Sequence, residues 1–282
     1  MTELDDAGMV ALGGLTVQRV GFGAMRVTGR GVWGQPDDRE ACKAVLRRAL
    51  ELGVNFLDTA DSYGPEVSEE LIAEALHPYS EDLVVATKGG FERPGPGRWN
   101  PNGRPEHLRQ ACDGSLARLR LDVIDVYQLH TIDPKVPFEE SVGALAELRE
   151  AGKIRHIGLS NVRPHHVSSA LELVPIVSVQ NRFNLSDRSS QDVVELCERK
   201  GLAFVAYYPL GAGRLAKDEG VLGEVARRHD VTPAQIALAW LLALSSTMLP
   251  IPGTASRDHL EENVAAAGIS LTPDDLDRLA NR

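Results

Sequence analysis

From residue 20 onward the chain alternates between two hydrophobic patterns. Short, nearly continuous apolar runs fall at residues 20–25, 54–57, 83–87, 123–129, 154–159, 176–180, 203–207 and 248–251. Between them lie segments with apolar residues at three- and four-residue spacing, among them 39–52, 106–120, 138–151 and 191–200. The first pattern predicts strands buried on both faces, the second amphipathic helices. Eight strands, each followed by a helix, predict an α/β fold, a single (β/α)8 TIM barrel over residues 1–282. Residues 9–18 predict an N-terminal β-hairpin turning at Gly13-Gly14, ahead of the first barrel strand. Stretches 26–36, 89–104 and 209–218 carry neither pattern and are expected to be irregular.

The second strand runs into Asp58, Asp61, Ser62 and Tyr63, the third into Thr87 and Lys88, the fourth into Gln128 and His130. The fifth ends in Ser160-Asn161, the sixth in Gln180-Asn181 and the seventh in Tyr207-Tyr208. In such a barrel the C-terminal strand ends build the active site. Each residue alone has a structural explanation, Lys88 as a solvated loop lysine or Ser160 as a helix N-cap. Six consecutive strands delivering polar groups to one end argue instead for a site.

An aspartate, a phenol, a lysine and a histidine suit proton transfer to a carbonyl. Tyrosine has a pKa of about 10, so the Lys88 ammonium is expected to bring Tyr63 down by favouring the phenolate. Asp58 can hold Lys88 charged, and His130 can donate a hydrogen bond to a substrate oxygen. Protonating a developing alkoxide implies a hydride donor. With no metal-ligand spacing in the chain, a nicotinamide is the expected source.

Composition narrows the partners. With 43% hydrophobic and 25% charged residues, the chain has the make-up of a globular protein able to bury a core. A net charge of −10 argues against nucleic acid. No apolar stretch approaches the about 18 residues of a membrane helix. The acidic start lacks the n- and h-regions of a secretory signal, so a cytoplasmic protein acting on a small molecule is expected. Cys42, Cys112 and Cys197 have neither the count nor the spacing of a disulfide framework or a zinc site, and no metal is expected.

Asp58-(x4)-Tyr63, Lys88, His130, Gly158-Leu-Ser-Asn161, Gln180 and Ile251-Pro-Gly253, followed by Asn263, occur in an order that resembles the aldo-keto reductase superfamily. The likeness begins at Gly21-Phe-Gly-Ala-Met25 and runs to Asn263. It implies an NADPH-dependent carbonyl reductase in which Tyr63 is the general acid and Asp58, Lys88 and His130 complete a tetrad. It also implies that Ser160, Asn161 and Gln180 hold the nicotinamide carboxamide, that Tyr207 stacks on its ring, and that Ala24, Met25 and Asp58 lie against the coenzyme.

No Gly-x-Gly-x-x-Gly opens a helix after a strand, so a Rossmann site is not expected. The pyrophosphate would instead meet the glycine-rich loop Pro209-Leu210-Gly211-Ala-Gly-Arg214. By the same resemblance Gly253, Thr254, Arg257 and His259 read the adenosine 2′-phosphate at a helix start, with Glu262 and Asn263 on the adenine. His259 and Gly253 depart from the arginine and lysine common at these positions, which leaves Arg257 as the nearest full cation and NADH as the alternative coenzyme.

Trp33 on the 26–36 stretch and Phe91 and Trp99 on 89–104 are expected to wall the substrate, with Tyr63 and His130, and to favour a flat or apolar aldehyde. Val20-Gly-Phe-Gly-Ala-Met25, Leu238-Ala-Trp-Leu-Leu242 and Leu249-Ile-Pro-Gly-Thr254 resemble the bacterial branch that includes pyridoxal reductases, which implies pyridoxal as a candidate. Two other classes compete. One is a barrel lyase using Lys88 as a Schiff-base nucleophile; the other is a nicotinamide-binding regulatory subunit with little turnover.

Overall fold

The structure, a computed structural model, describes residues 3–281. A short helix α1 (Glu3–Ala7) leads into an antiparallel hairpin of β1 (Met9–Leu12) and β2 (Leu15–Gln18). Gly13 turns this hairpin at φ +65°, a left-handed conformation that glycine adopts without steric cost. Then come β3 (Phe22–Gly23), α2 (Arg39–Glu51), β4 (Phe56–Asp58), α3 (Val67–Leu76) and β5 (Val84–Gly89). A second antiparallel hairpin, β6 (Phe91–Gly95) and β7 (Arg98–Pro101), precedes α4 (Pro105–Leu119) and β8 (Ile124–Leu129). The chain continues through α5 (Phe138–Glu150), β9 (Ile154–Ser160), α6 (Pro164–Leu173), β10 (Ile176–Arg182), α7 (Gln191–Lys200) and β11 (Ala203–Tyr207). It finishes with α8 (Val221–His229), α9 (Pro233–Leu244), β12 (Met248–Pro250), α10 (Arg257–Ala265) and α11 (Pro273–Ala280).

The eight parallel strands pair in the order β12, β11, β10, β9, β8, β5, β4, β3. Two backbone bonds, Gly21 N–H to Pro250 O at 3.0 Å and Gly23 N–H to Pro252 O at 3.5 Å, join the last strand region to the first. The curled sheet with its surrounding helices is the predicted (β/α)8 architecture. Apolar side chains of the strands (Phe56, Val84, Ala86, Val126, Val205 and Leu249) fill the interior, and Val10, Leu12 and Val17 of the N-terminal hairpin complete that cluster. Two further clusters bury the apolar stripes of the helices. Because the hairpin is part of the interior packing at one end, the polar strand termini are left to face the other.

Two predicted elements differ. The first barrel strand is only Phe22–Gly23, since the chain turns into a 3-10 segment at Ala24–Val27. Stretch 89–104 is not irregular; it contains the β6–β7 hairpin, turning near Pro96-Gly97 with Gly97 at φ +70°.

Candidate active site

Strand β5 carries Lys88 into the interior, where its side chain is fully buried. Burying an ammonium is costly unless it is paired and hydrogen-bonded. Its Nζ donates to Asp58 Oδ1 at 2.5 Å and to the Thr59 carbonyl at 2.7 Å, and stands 3.5 Å from the Tyr63 hydroxyl. The other carboxylate oxygen of Asp58 accepts from Gln128 Nε2 at 2.9 Å and Gln180 Nε2 at 2.7 Å. Gln180 Nε2 also approaches Gln128 Oε1 at 3.2 Å. The ends of β4, β5, β8 and β10 thus hold one polar cluster. The amide nitrogen of Gln180 is committed to Asp58.

Electrostatics here depart from the sequence reading in one respect. The Tyr63 phenol is pushed well above its ordinary value rather than pulled down, first by burial and then by the negative charge of Asp58. Lys88 does not reverse this because its own charge is met by Asp58 at shorter range. Burial lowers Lys88 as well, against the raising effect of Asp58. His130 falls well below its usual range, by burial first and then by the charges of Lys88 and Arg93. At neutral pH the site therefore holds a protonated phenol and a neutral imidazole. Nδ1 of that imidazole lies 3.3 Å from Ser62 Oγ, which leaves Nε2 as the nitrogen open to the cavity.

A cavity of about 890 Å3 opens over this cluster. Asp58, Tyr63, His130, Ser160, Asn161, Gln180 and Tyr207 line one end, and Thr254, His259, Glu262 and Asn263 the other. Asn161, at φ +58°, donates to the His130 carbonyl at 2.9 Å and accepts from the Tyr207 hydroxyl at 2.7 Å. Met25, Pro209, Leu210 and Gly253 also reach the wall. Lys88 lies beneath it, in contact through Tyr63 and Asp58.

Other sequence-predicted residues lie elsewhere. Ala24 is buried in the core beside Val20 and Phe22, and Gly211 is buried in its loop. Arg214 turns its Nε to the Gly211 carbonyl at 3.2 Å, and Arg257 is exposed on the first turn of α10; neither lines the cavity. The full cations that do line it are Lys217 and Arg26, which sequence reasoning missed. Phe91 and Trp99 form one wall near His130, with ring centroids 4.7 and 6.4 Å from the imidazole. Trp33 is off the cavity, its ring 5.4 Å from the Arg93 guanidinium. Tyr208, at φ +50°, enters the wall and packs 5.4 Å from Tyr207. Gln128, placed by the sequence at a strand end but given no role there, proves to be a hydrogen-bond donor to Asp58.

A parallel barrel holding a buried Lys–Asp pair under a tyrosine, at the foot of a cavity, has the fold of a (β/α)8 oxidoreductase. Residues 19–281 match the model of the Aldo/keto reductase family, and the chain belongs to that family. It is 52% identical over 270 residues to an uncharacterized oxidoreductase of Schizosaccharomyces pombe, covering 96% of this chain and 88% of that one. Pyridoxine 4-dehydrogenase of Escherichia coli is 43% identical over 274 residues, covering 95% and 96%. The crystal structure of an aldo/keto reductase from Klebsiella pneumoniae in complex with NADP and acetate superimposes with a TM-score of 0.81 at 28% identity, covering 94% and 91%.

Proposed function

We propose that this protein reduces aldehydes to alcohols with NADPH, that Tyr63 is the proton donor, and that pyridoxal or a similar aromatic aldehyde is its substrate class. The observation that carries the reading is the Asp58–Lys88–Tyr63 contact set at the foot of the cavity, with neutral His130 beside it. The cavity suits an extended coenzyme: carboxamide-reading side chains (Ser160, Asn161, Gln180) at one end, adenine-side candidates (Glu262, Asn263) at the other, and the cations Lys217 and Arg26, with the His259 imidazole, on its wall. Gly253 leaves room where a Cβ would lie 2.2 Å from the Gly23 carbonyl, so the backbone of both strand ends can line the groove closely. A bound nicotinamide would supply the hydride. The relative bound to NADP and the relative named for dehydrogenation of pyridoxine at its 4-position support the choice of coenzyme and substrate.

The residues of this chain would act as follows. His130 donates from Nε2 to the carbonyl oxygen and orients it toward Tyr63. Tyr63 gives its proton to the oxygen as negative charge develops there. Its raised pKa keeps the phenol protonated until that moment, and Lys88, 3.5 Å away, stabilises the phenolate that remains. Phe91 and Trp99 offer flat apolar edges to an aromatic substrate.

The deciding experiment follows NADPH absorbance with pyridoxal and a panel of aldehydes for wild type and Tyr63→Phe. Reduction by wild type with a loss of about 10²–10⁴-fold in the variant is expected, coenzyme affinity being retained. Equal rates would sink the assignment of Tyr63. Coenzyme binding without turnover of any aldehyde would favour a regulatory subunit.

A further inference from the structure

Among the described residues Arg93 is a cation whose partners are carbonyls and aromatic rings rather than a carboxylate. Among the described residues no acidic side chain lies within ion-pair distance of it, and burial acts against its charge. Its guanidinium is instead spent on three carbonyls from three separate segments. Nη1 donates to Ser62 O at 2.6 Å, Nη2 to Val32 O at 3.2 Å and Nε to Arg98 O at 3.0 Å. Its flat face lies 3.5 Å from the centroid of Trp99 and 5.4 Å from that of Trp33. Such a planar, three-way fork is within reach of a guanidinium and not of an ammonium.

The three segments are the ones that bound the substrate end of the cavity. Ser62 adjoins Tyr63 and touches His130 through its hydroxyl. Arg98 adjoins Trp99, whose ring centroid is 6.4 Å from Tyr63 and 5.4 Å from Phe91. Val32 adjoins Trp33, which bridges to Gly64. The Trp33–Gly64 bridge already joins the 26–36 segment to the Tyr63 loop, and β7 pairs only with β6; among the described residues no strand pairing joins that hairpin to the Tyr63 loop, and Arg93 supplies that tie.

We infer that Arg93 is a specificity-determining positioning residue: it clasps the β6–β7 hairpin and the 26–36 segment to the loop before Tyr63 and so holds Trp99 as a wall for aromatic aldehydes. The inference rests on the aldehyde-reduction reading. Arg93 does not itself line the cavity; it acts through Trp99. Loss of the clasp frees the Trp99 ring, which a broad aromatic substrate needs and a small aliphatic one does not.

The test compares wild type, Arg93→Ala and Arg93→Lys with an aromatic aldehyde and with butyraldehyde, measuring kcat and KM separately. In both variants KM for the aromatic aldehyde is expected to rise roughly tenfold or more; in Arg93→Lys, which keeps a positive charge near His130, kcat and the butyraldehyde parameters should change little. Guanidinium chloride, well below denaturing concentrations, should restore Arg93→Ala but not Arg93→Lys, whose side chain fills the space. A uniform loss with both aldehydes would overturn the inference and mark Arg93 as a general folding residue, as would unchanged aromatic KM in both variants. If wild type reduces no aldehyde at all, the underlying functional reading fails instead.

Discussion

Asp58 and Lys88 occupy a buried position where two opposite charges are tolerated because they pair and are hydrogen-bonded further, Asp58 accepting from three donors in all and Lys88 donating to the Thr59 carbonyl as well. Gln128 and Gln180 supply that satisfaction from β8 and β10, donating to Asp58 rather than accepting from the Lys88 ammonium. Replacing Gln128 by Leu leaves Asp58 Oδ2 with Gln180 alone, and Gln180 without its second contact. A loss of about 1–3 kcal/mol in unfolding free energy is expected, measured by urea denaturation, together with a fall in reductase rate.

Asp61 makes the opposite case. Its Oδ1 is buried with no hydrogen-bond partner among the described residues, and burial, reinforced by the charge of Glu69 and opposed by Arg118, pushes its carboxyl up to about 8. Unfolded, it ionises near 3.8. Between those values the folded state holds the extra proton, so folding stability falls as pH rises through that window. Asp61→Asn removes this dependence. Its thermal midpoint should exceed that of wild type by a margin that grows from pH 4 to about 8 and is constant above. A margin independent of pH would show that Asp61 titrates normally. Both residues illustrate what a sequence hides. Asp58 was legible because a strand-end carboxylate five residues before a tyrosine is a pattern along the chain. The roles of Gln128 and Arg93, and the setting of Tyr63, were not, because they depend on contacts such as those 25 to 70 residues apart in sequence.

Among the elements, all eight strands were legible in the apolar runs, because burial on both faces leaves no polar alternation to confuse them. Their ends were less so. The first strand stops at Gly23 because the backbone turns there, an event that the continuing apolar residues Ala24 and Met25 conceal. The β6–β7 hairpin was missed because Pro94, Gly95, Pro96 and Gly97 dominate the stretch and its strands are mostly polar. Pro96-Gly97 between Phe91-Glu-Arg and Arg98-Trp-Asn was the available turn signal.

The junction of β3 and β12 supports a prediction of its own. A methyl group at position 253 would meet the Gly23 carbonyl at 2.2 Å, and backbone cannot yield as a flexible side chain would. Gly253→Ala should therefore destabilise the fold by about 1–3 kcal/mol in chemical denaturation. Because Gly253 and Gly23 both border the cavity, coenzyme affinity measured by calorimetry should fall with it.

For the molecule as a whole, the family was legible because its motifs recur in order from end to end, and no single motif had to bear the inference. The cationic side of the cavity was not. Which of Arg214 and Lys217 faces inward depends on how the 209–218 loop folds, and its 3-10 turns at Gly211–Gly213 and Leu215–Lys217 turn Lys217 in and Arg214 back on itself; Arg26 enters from the 3-10 segment Ala24–Val27, and Arg257 stays exposed on α10.

The barrel's closure has a consequence for the molecule's dynamics. All six strand pairs from β4 to β12 share three or more residue partners, whereas β3 shares two with β4 and, among the described residues, the chain around it is joined to the β12 end by two backbone bonds. This is where local opening should be least costly. In native-state hydrogen exchange the amides of Gly21 and Gly23 should exchange ahead of those in β8 and β9. A coenzyme lying across Gly23, Met25, Pro252 and Thr254 would bridge the two sides, so NADP+ should slow those amides selectively and stabilise the fold by about 2.7 kcal/mol at a hundredfold excess over its Kd. The coenzyme would then serve as a hoop around the barrel as well as a reagent, and the protein's resistance to proteolysis would rise and fall with the nucleotide supply.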